Sequence, residues 1–479
     1  MMGRRAASAA VLAVAVLGVA ACADGGSAPH AAAAAKVSVA DGSPVSGPSV
    51  GIKAFSGHGR LAFVSDNRLY VLDGSTPGKP STLHPVVIGK PPGSQGSAAR
   101  EPAELAAGPT GNVPGSPAWS PDGRWLAFLI GTPSPDGAVT SGALWLAGPD
   151  GEGAHQVLSN AGGFAWSPKA DELAAVSGCG GKLFAVRPGR PPYPILEAPG
   201  LAAATPAWSP DGRKLAVALV SVTAKRRFVS SAIDVFPATG GIAASTVTSS
   251  RTDALVVDGW WANGQGLFAW SDPRDAASLA ASGLPLVSYP LDGRPAAPVA
   301  RTLPYPSFAV PGGDGVTLVT GGDRYLWHAK TIRDCAVSGQ CGPAMDAPPA
   351  PANLDPAAPV SRPGLLAFVH GATGKTVGSS QHDLSAWYQT RRLWYQAGTG
   401  GNPLPVTRAG TGVAAPTWSA NSQDILYIRD NALWLIPMFT ADGYPSAAPA
   451  LPVVSRLFAG NWPNLNGYTA WQSQFAWHT

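Results

Sequence analysis

Charge is scarce in this chain. Only 13% of its 479 residues are Asp, Glu, Lys or Arg, and the formal net charge is +4. Loss of Arg4 and Arg5 with an N-terminal leader would leave about +2. The one basic cluster, Lys225-Arg226-Arg227, reads as a solvated hairpin tip, so composition excludes nucleic acid as a partner. Cysteine is also rare, with four, and these offer too few ligands for a zinc site. The eight His residues form no H-x-x-x-H pattern, and there is no D-x-D-x-D run of the kind a calcium loop needs. No metal and no cofactor are therefore expected. A sustained 3.6-residue apolar stripe is missing too, which excludes long amphipathic helices.

What the chain has instead is glycine, proline and tryptophan: 58, 48 and 16 residues. Many short strands joined by tight turns produce such a composition. One sentence recurs: Pro117-Ala118-Trp119-Ser120-Pro121-Asp122-Gly123-Arg124, Phe164-Ala165-Trp166-Ser167-Pro168, and Pro206-Ala207-Trp208-Ser209-Pro210-Asp211-Gly212-Arg213. A worn copy is Pro416-Thr417-Trp418-Ser419-Ala420-Asn421. Repetition every 40–50 residues or so marks an array of β units. In each, an apolar strand ends at Trp-Ser-Pro. Pro then presets φ, Asp bonds the backbone ahead, and Gly accepts positive φ. A short second strand follows, as in Leu215-Ala216-Val217-Ala218, and then a third, as in Ile233-Asp234-Val235-Phe236.

The same grammar runs from Arg60-Leu61-Ala62-Phe63, a second strand with little before it, to Gln474-Phe475-Ala476-Trp477, a first strand with nothing after it. Tyr325-Leu326-Trp327 reads as another third strand. First strands fall near Trp119, Trp166, Trp208, Trp260, Phe308, an ill-defined place at 351–361, Trp418 and Trp477. The expectation is an all-β chain: a β-propeller of about eight four-stranded blades, with seven as the alternative. The C-terminal strand would pair into the first blade and remove the open edges.

Ahead of this array, Arg4 and Arg5 precede a short apolar stretch, Ala9 to Val19, that ends in Val19-Ala20-Ala21-Cys22. The pattern resembles a bacterial lipobox, which implies a signal peptide over 1–21 and lipidation of Cys22. Residues 22–50 are an Ala/Gly/Ser/Pro tether, too poor in large apolar groups to fold. It holds Gly47-Pro48-Ser49-Val50-Gly51, a chance match to the hydrolase G-x-S-x-G pattern outside any strand–helix context. Residues 51–479 are read as one propeller domain. Cys335 and Cys341 flank a short loop and are expected to form a disulfide, as befits an exported protein.

The Ala-Trp-Ser-Pro-Asp-Gly-Arg box, followed by Leu-Ala-Phe and Leu-Trp-Leu or Leu-Tyr-Val-Leu-Asp strands, resembles the TolB-type, WD40-like β-propeller repeats over residues 57–479. With the lipobox and the composition, the chain looks like an actinobacterial propeller lipoprotein. That resemblance implies a protein at the extracytoplasmic face of the cell membrane, lipid-anchored, binding an envelope protein or glycan. It transfers no catalytic residue, because the box is structural. TolB also carries an N-terminal α/β domain, which residues 23–50 cannot form.

The functional expectation is a monomeric interaction module and not an enzyme. The alternative is a glycan-active hydrolase or lyase with a site at one channel mouth, which three or more converging ionisable side chains would favour. Asp122 and Asp211 occupy equivalent turns and are read as turn residues. Most Trp residues fall at repeat positions and are read as filling space between blades. Trp261, Trp387, Tyr388, Trp462 and Trp471 are less regular and are the candidate ligand contacts. The longest departures from the repeat lie at 86–114, 269–285, 331–362 and 370–390, with 331–362 the leading candidate for a specific contact.

Overall fold

The computed structural model describes residues 47–87, 111–177, 181–197, 201–223, 228–238, 245–273, 283–305, 307–321, 324–345, 352–358, 364–373, 381–397, 401–408, 410–440 and 442–479. The expected signal peptide, Cys22 and the tether up to residue 46 lie outside the described residues, as does Cys179.

The strands run as successive antiparallel meanders. The first comprises β1 (Gly59–Ser65), β2 (Arg68–Gly74) and β3 (Thr82–Pro85). Next come β4 (Val113–Trp119), β5 (Leu126–Gly131), β6 (Gly142–Ala147) and the long β7 (His155–Trp166), and then β8 (Leu173–Ser177), β9 (Lys182–Val186) and β10 (Tyr193–Glu197). Two four-stranded sets follow: β11 (Leu201–Trp208), β12 (Lys214–Val222), β13 (Phe228–Pro237), β14 (Ser245–Ser250); and β15 (Asp253–Trp260), β16 (Gly266–Pro273), β17 (Leu284–Pro290), β18 (Ala297–Thr302). β19 (Ala309–Gly312), β20 (Gly315–Thr320) and β21 (Thr331–Ala336) form a three-stranded sheet. β22 (Ala352–Ala357) and β23 (Leu365–Gly371) are separated from β24 (Arg392–Ala397) and β25 (Leu404–Pro405) by the helix α1 (Gln381–Thr390). The last sheet is β26 (Val413–Trp418), β27 (Asp424–Arg429), β28 (Ala432–Pro437) and β29 (Leu451–Val454). β30 (Phe475–His478) returns to β1 in antiparallel register, with Leu61 opposite Trp477 and Phe63 opposite Phe475.

The repeated box explains the local geometry. The ladder register shifts just before the Trp in β4, β11 and β26, and at the matching place in β22, which has no Trp; Pro117, Pro206, Pro416 and Pro356 stand there. Proline has no amide hydrogen to give to a ladder, so it fits a bulge that skips one. The preceding Ser116, Asp355 and Ala415 take φ of 50°, 49° and 48°. Beyond the Trp, Ser120 Oγ donates to Asp122 Oδ1 at 2.7 Å and accepts from the Trp125 amide at 3.0 Å. Gly123 then turns the chain at φ 68°. The same bonds recur at Ser209 and Asp211. In the worn copy Asn421 accepts from Ser419 and Ser422 adopts the positive φ. Burial works against ionisation of Asp122, but donors from Ser120 and Arg124 outweigh it and hold the carboxyl well below its ordinary range.

Sheets dock on one another through these Trp residues. Each indole N–H reaches sideways to a backbone carbonyl of the preceding first strand: Trp119 to Ala476 at 3.1 Å, Trp166 to Ala118 at 3.0 Å, Trp208 to Ala165 at 3.0 Å, and Trp260 to Ala207 at 2.8 Å. Trp418 likewise donates to Ala357 at 2.9 Å, which identifies β22 as the first strand of its sheet. Between the ladders, small and branched residues of adjacent sheets pack, as with Ala174, Val176 and Leu183 against Leu215 and Val217.

Three expectations are corrected. The segment 331–362 is no single insertion: β21 and β22 lie within it, and residues 341–345 run beside β21 through Gly342 N–Asp334 O and Met345 N–Ile332 O bonds. Tyr325-Leu326-Trp327 is not a third strand; β21 is, and Leu326 and Trp327 turn into the interior. Residues 370–390 hold a helix, α1, rather than a loop throughout.

Candidate functional site

In an antiparallel meander the first and third turns lie at one end, and the second turn and the link to the next meander at the other. The Ser-Pro-Asp-Gly hairpins therefore occupy one end of the sheets. The segments after β5, β18, β20, β23 and β29 gather at the opposite end.

Residues 455–474, the link from β29 to β30, cross that end and touch the others in turn. Gln474 Nε2 donates to Gly137 O at 2.9 Å, and the Ala470 amide to Asp136 O at 2.9 Å. Tyr468 stacks on Tyr305, ring centroids 3.8 Å apart and planes within 9°. Tyr388 Oη donates to Gly467 O at 3.0 Å. Gly467 has φ 87°, and a Cβ there would press on the Trp327 ring at 3.3 Å, so both conformation and space call for glycine. Tyr468, Thr469, Ala470 and Trp471 are buried.

Beneath this cover lies an ion pair. Arg391 Nη2 donates to Asp355 Oδ2 at 2.7 Å, with the two side chains 2% and 9% exposed. Asp355 also accepts from the Ala415 amide at 3.2 Å and from Ser307 Oγ at 3.4 Å. The guanidinium lies 4.7 Å from the Tyr388 ring centroid and 5.3 Å from that of Trp387. Burial, with the charges of Asp355 and Asp136 adding, pushes the Tyr468 phenol well above its ordinary value; burial and Asp136 do the same to Tyr305. Both phenols therefore stay neutral. As arranged, Asp355 and Arg391 pair beneath the covering segment, and Arg391 Nε is left buried without a hydrogen-bond partner.

The candidate contacts fare unevenly. Trp387, Tyr388, Trp462 and Trp471 meet in one cluster at the covered end, with Trp387–Tyr388 at 5.3 Å, Tyr388–Trp462 at 5.7 Å and Trp462–Trp471 at 5.8 Å. Trp261 lies apart, in the β15–β16 hairpin against Phe268 and Gly266. Trp261, Trp387, Tyr388 and Trp471 are each about 97% enclosed, and Trp462 is half-buried. Trp261, Trp387, Tyr388 and Trp471 fill gaps that the irregular segments leave against the sheets, and Trp462 keeps partial exposure. Asp136, Tyr305, Asp355, Arg391 and Tyr468 carry the site's polarity and were missed, since they are scattered through five unlike segments. Asp258 was missed although its signal was visible: it stands two residues before Trp260, where other copies carry Pro or Phe.

Cys335 and Cys341 are bonded as a disulfide at the β21 hairpin. No group of three or more His, Cys, Asp or Glu among the described residues could hold a metal ion. No helix among them is long and apolar enough to cross a membrane.

Successive antiparallel meanders docked through their first strands make this an all-β fold of the β-propeller type. Solved structures similar to the chain include an oligogalacturonate lyase in complex with manganese, at 14% identity and TM-score 0.41 over 71% of this chain and 88% of that one. TolB from Acinetobacter baumannii matches at 14% identity and TM-score 0.34, over 61% and 64%. An acylaminoacyl peptidase from Pyrococcus horikoshii matches at 11% and 0.42, over 68% of this chain and only 51% of the peptidase. No family model and no curated protein matches the chain.

Proposed function

We propose that this chain is a lipid-anchored, extracytoplasmic β-propeller of eight blades that binds a protein or cell-envelope ligand without catalysis. The blade count follows from dividing the seven-stranded sheet at β7, whose first half pairs with β6 and second half with β8. The partial blade β1–β3 is completed by β30, and the first strands then surround a central channel. The observation that carries the binding reading is the gathering of the connections after β5, β18, β20, β23 and β29 at one end, over a rigid set of hairpins. The disulfide supports an oxidising compartment.

Two measurements test this. Cysteines placed at Ala62 and Ala476, which face each other across β1 and β30, should cross-link in the oxidised monomer if the ring closes. Crosslinking in intact envelopes, followed by mass spectrometry, should recover one partner at the end formed by residues 132–141 and 458–471. Recovery only at the Ser-Pro-Asp-Gly end would overturn the choice of face.

A second reading has an observation of its own. Asp136, Asp355, Arg391, Tyr305 and Tyr468 converge at one mouth, as a glycan-active site would require. The Asp355–Arg391 pair and the Tyr305–Tyr468 stack engage these groups within the fold, which favours binding over catalysis. Release of reducing or unsaturated ends from envelope glycans, abolished in Asp136→Asn, would establish the enzyme instead.

A further inference from the structure

Asp258 lies in β15 at the ladder irregularity between Val257 and Gly259. At the equivalent place the other first strands carry Pro117, Phe164, Pro206, Pro416 and Phe475, side chains that need no hydrogen bond. Asp258 Oδ2 is sealed from solvent and has no hydrogen-bond partner, and no cationic side chain pairs with the carboxyl among the described residues. The residue sits deep in the protein mass yet keeps partial exposure. In a packed core those two facts conflict. They agree if the carboxyl borders an internal space. The residues just before the Trp positions in the first strands leave such a space: Gly259, Ala207, Ala165 and Ala118 are small and partly exposed.

We infer that Asp258 is the receiving group of a binding site in the central channel for a ligand bearing one organic cation, an ammonium or a guanidinium. The site rests on the ring reading above and is separate from the covered end. Asp258 stands two residues from the hairpin end of its strand, so a ligand enters by the mouth opposite residues 458–471. A lone carboxylate lacks the oxygen ligands that calcium or magnesium requires. It suits a cation that brings its own directed N–H donors and whose binding releases the proton that burial otherwise keeps on this carboxyl, giving charge-assisted hydrogen bonds strengthened by low local dielectric.

The test is calorimetric titration of the full globule with n-propylammonium and n-propylguanidinium chloride, with calcium chloride and n-propanol as comparisons. Saturable binding of at least one cation is expected, weakened about tenfold or more in Asp258→Asn, as loss of a charged acceptor predicts. Asp258→Asn should melt no lower than the parent, so lost binding cannot be lost folding. Equal isotherms in the two proteins, no saturation in the parent, or equal response to calcium or propanol would each overturn the assignment. The Ala62–Ala476 cross-link separates the outcomes. A ring that cross-links but binds neither cation removes this inference alone, and a ring that does not cross-link removes the channel itself.

Discussion

The indole of Trp208 packs in the contact between sheets and also spends its N–H on Ala165 O. These contributions separate by substitution. Trp208→Phe keeps most of the packing and orphans the carbonyl, a loss of about 1–3 kcal/mol. Trp208→Ala removes the ring as well. A fully buried Trp costs about 3–5 kcal/mol in that exchange, and Trp208 is only half-buried, so the lower end applies. Denaturant unfolding should rank the two in that order; a loss under about 1 kcal/mol for Trp208→Ala would show that the sheets do not depend on the contact. Asp258 gives the opposite sign. Burial raises its folded carboxyl well above the ordinary value, so the folded state holds a proton that the unfolded chain releases near pH 4. Its favourable contribution is complete below that pH and is lost as pH rises through the raised folded value. Asp258→Asn, which never ionises, should therefore melt close to the parent at about pH 3.5 and increasingly above it toward neutral pH. A melting difference that is flat across this range would mean that the carboxyl already has a partner.

First strands and their hairpins were legible because their signals are local: a Trp, a proline at a bulge, and an Asp or Asn that bonds its own turn. The pairing of β30 with β1 was legible for the same reason, since Phe475-Ala476-Trp477 has the form of a first strand and β1 lacks one. α1 and the aromatic turn at Tyr325–Trp327 were not legible, because neither has a period of its own. α1 is fixed by packing of Trp387, Tyr388 and Arg391 under residues 458–471, and that contact joins positions about 80 residues apart in sequence. The covered end was out of reach for the same reason. The dependence of β1 on β30 makes an element-scale prediction. Removing residues 474–479 would strip β1 of its Leu61–Trp477 and Phe63–Phe475 pairs, deprive Trp119 Nε1 of Ala476 O, and leave an apolar strand edge exposed. The truncated chain should melt lower and associate in sedimentation velocity, and a synthetic peptide of residues 470–479 should reverse both changes. A monomer with unchanged melting would show that β30 is an accessory to the first sheet and not its fourth strand.

At the scale of the molecule, the first and last described segments attach at opposite edges of their sheets. β30 lies innermost, beside β1 and against β4. Residues 49–51 lie outermost: Gly51 N donates to Val453 O at 2.8 Å, and Ser455 N to Ser49 O at 3.0 Å, adding a short strand to the outer edge of β29. The described fold therefore begins at the outer edge of a sheet, through residues 49–51. A fully extended linker of this size reaches at most about 3.3–3.6 Å per residue, enough for the globule to present either face away from an anchor. On the proposed lipid-anchored reading, attachment depends on Cys22 alone. A single acyl chain holds a protein at a membrane only marginally, whereas two or more hold it firmly, at about 0.8 kcal/mol for each buried methylene. Cys22→Ala removes the acceptor and nothing from the described fold. The expected outcome is transfer of the protein from the membrane pellet to the soluble fraction, with its melting temperature and the Cys335–Cys341 disulfide unchanged. Charge cannot substitute for lipid here, because about +2 spread over the mature chain provides no polybasic patch to hold an anionic surface. If Cys22→Ala still pellets with membranes and high salt does not release it, the attachment must come from the globule, and the partly exposed faces of Tyr193 and Tyr444 on the outer strands and turns become the surfaces to mutate.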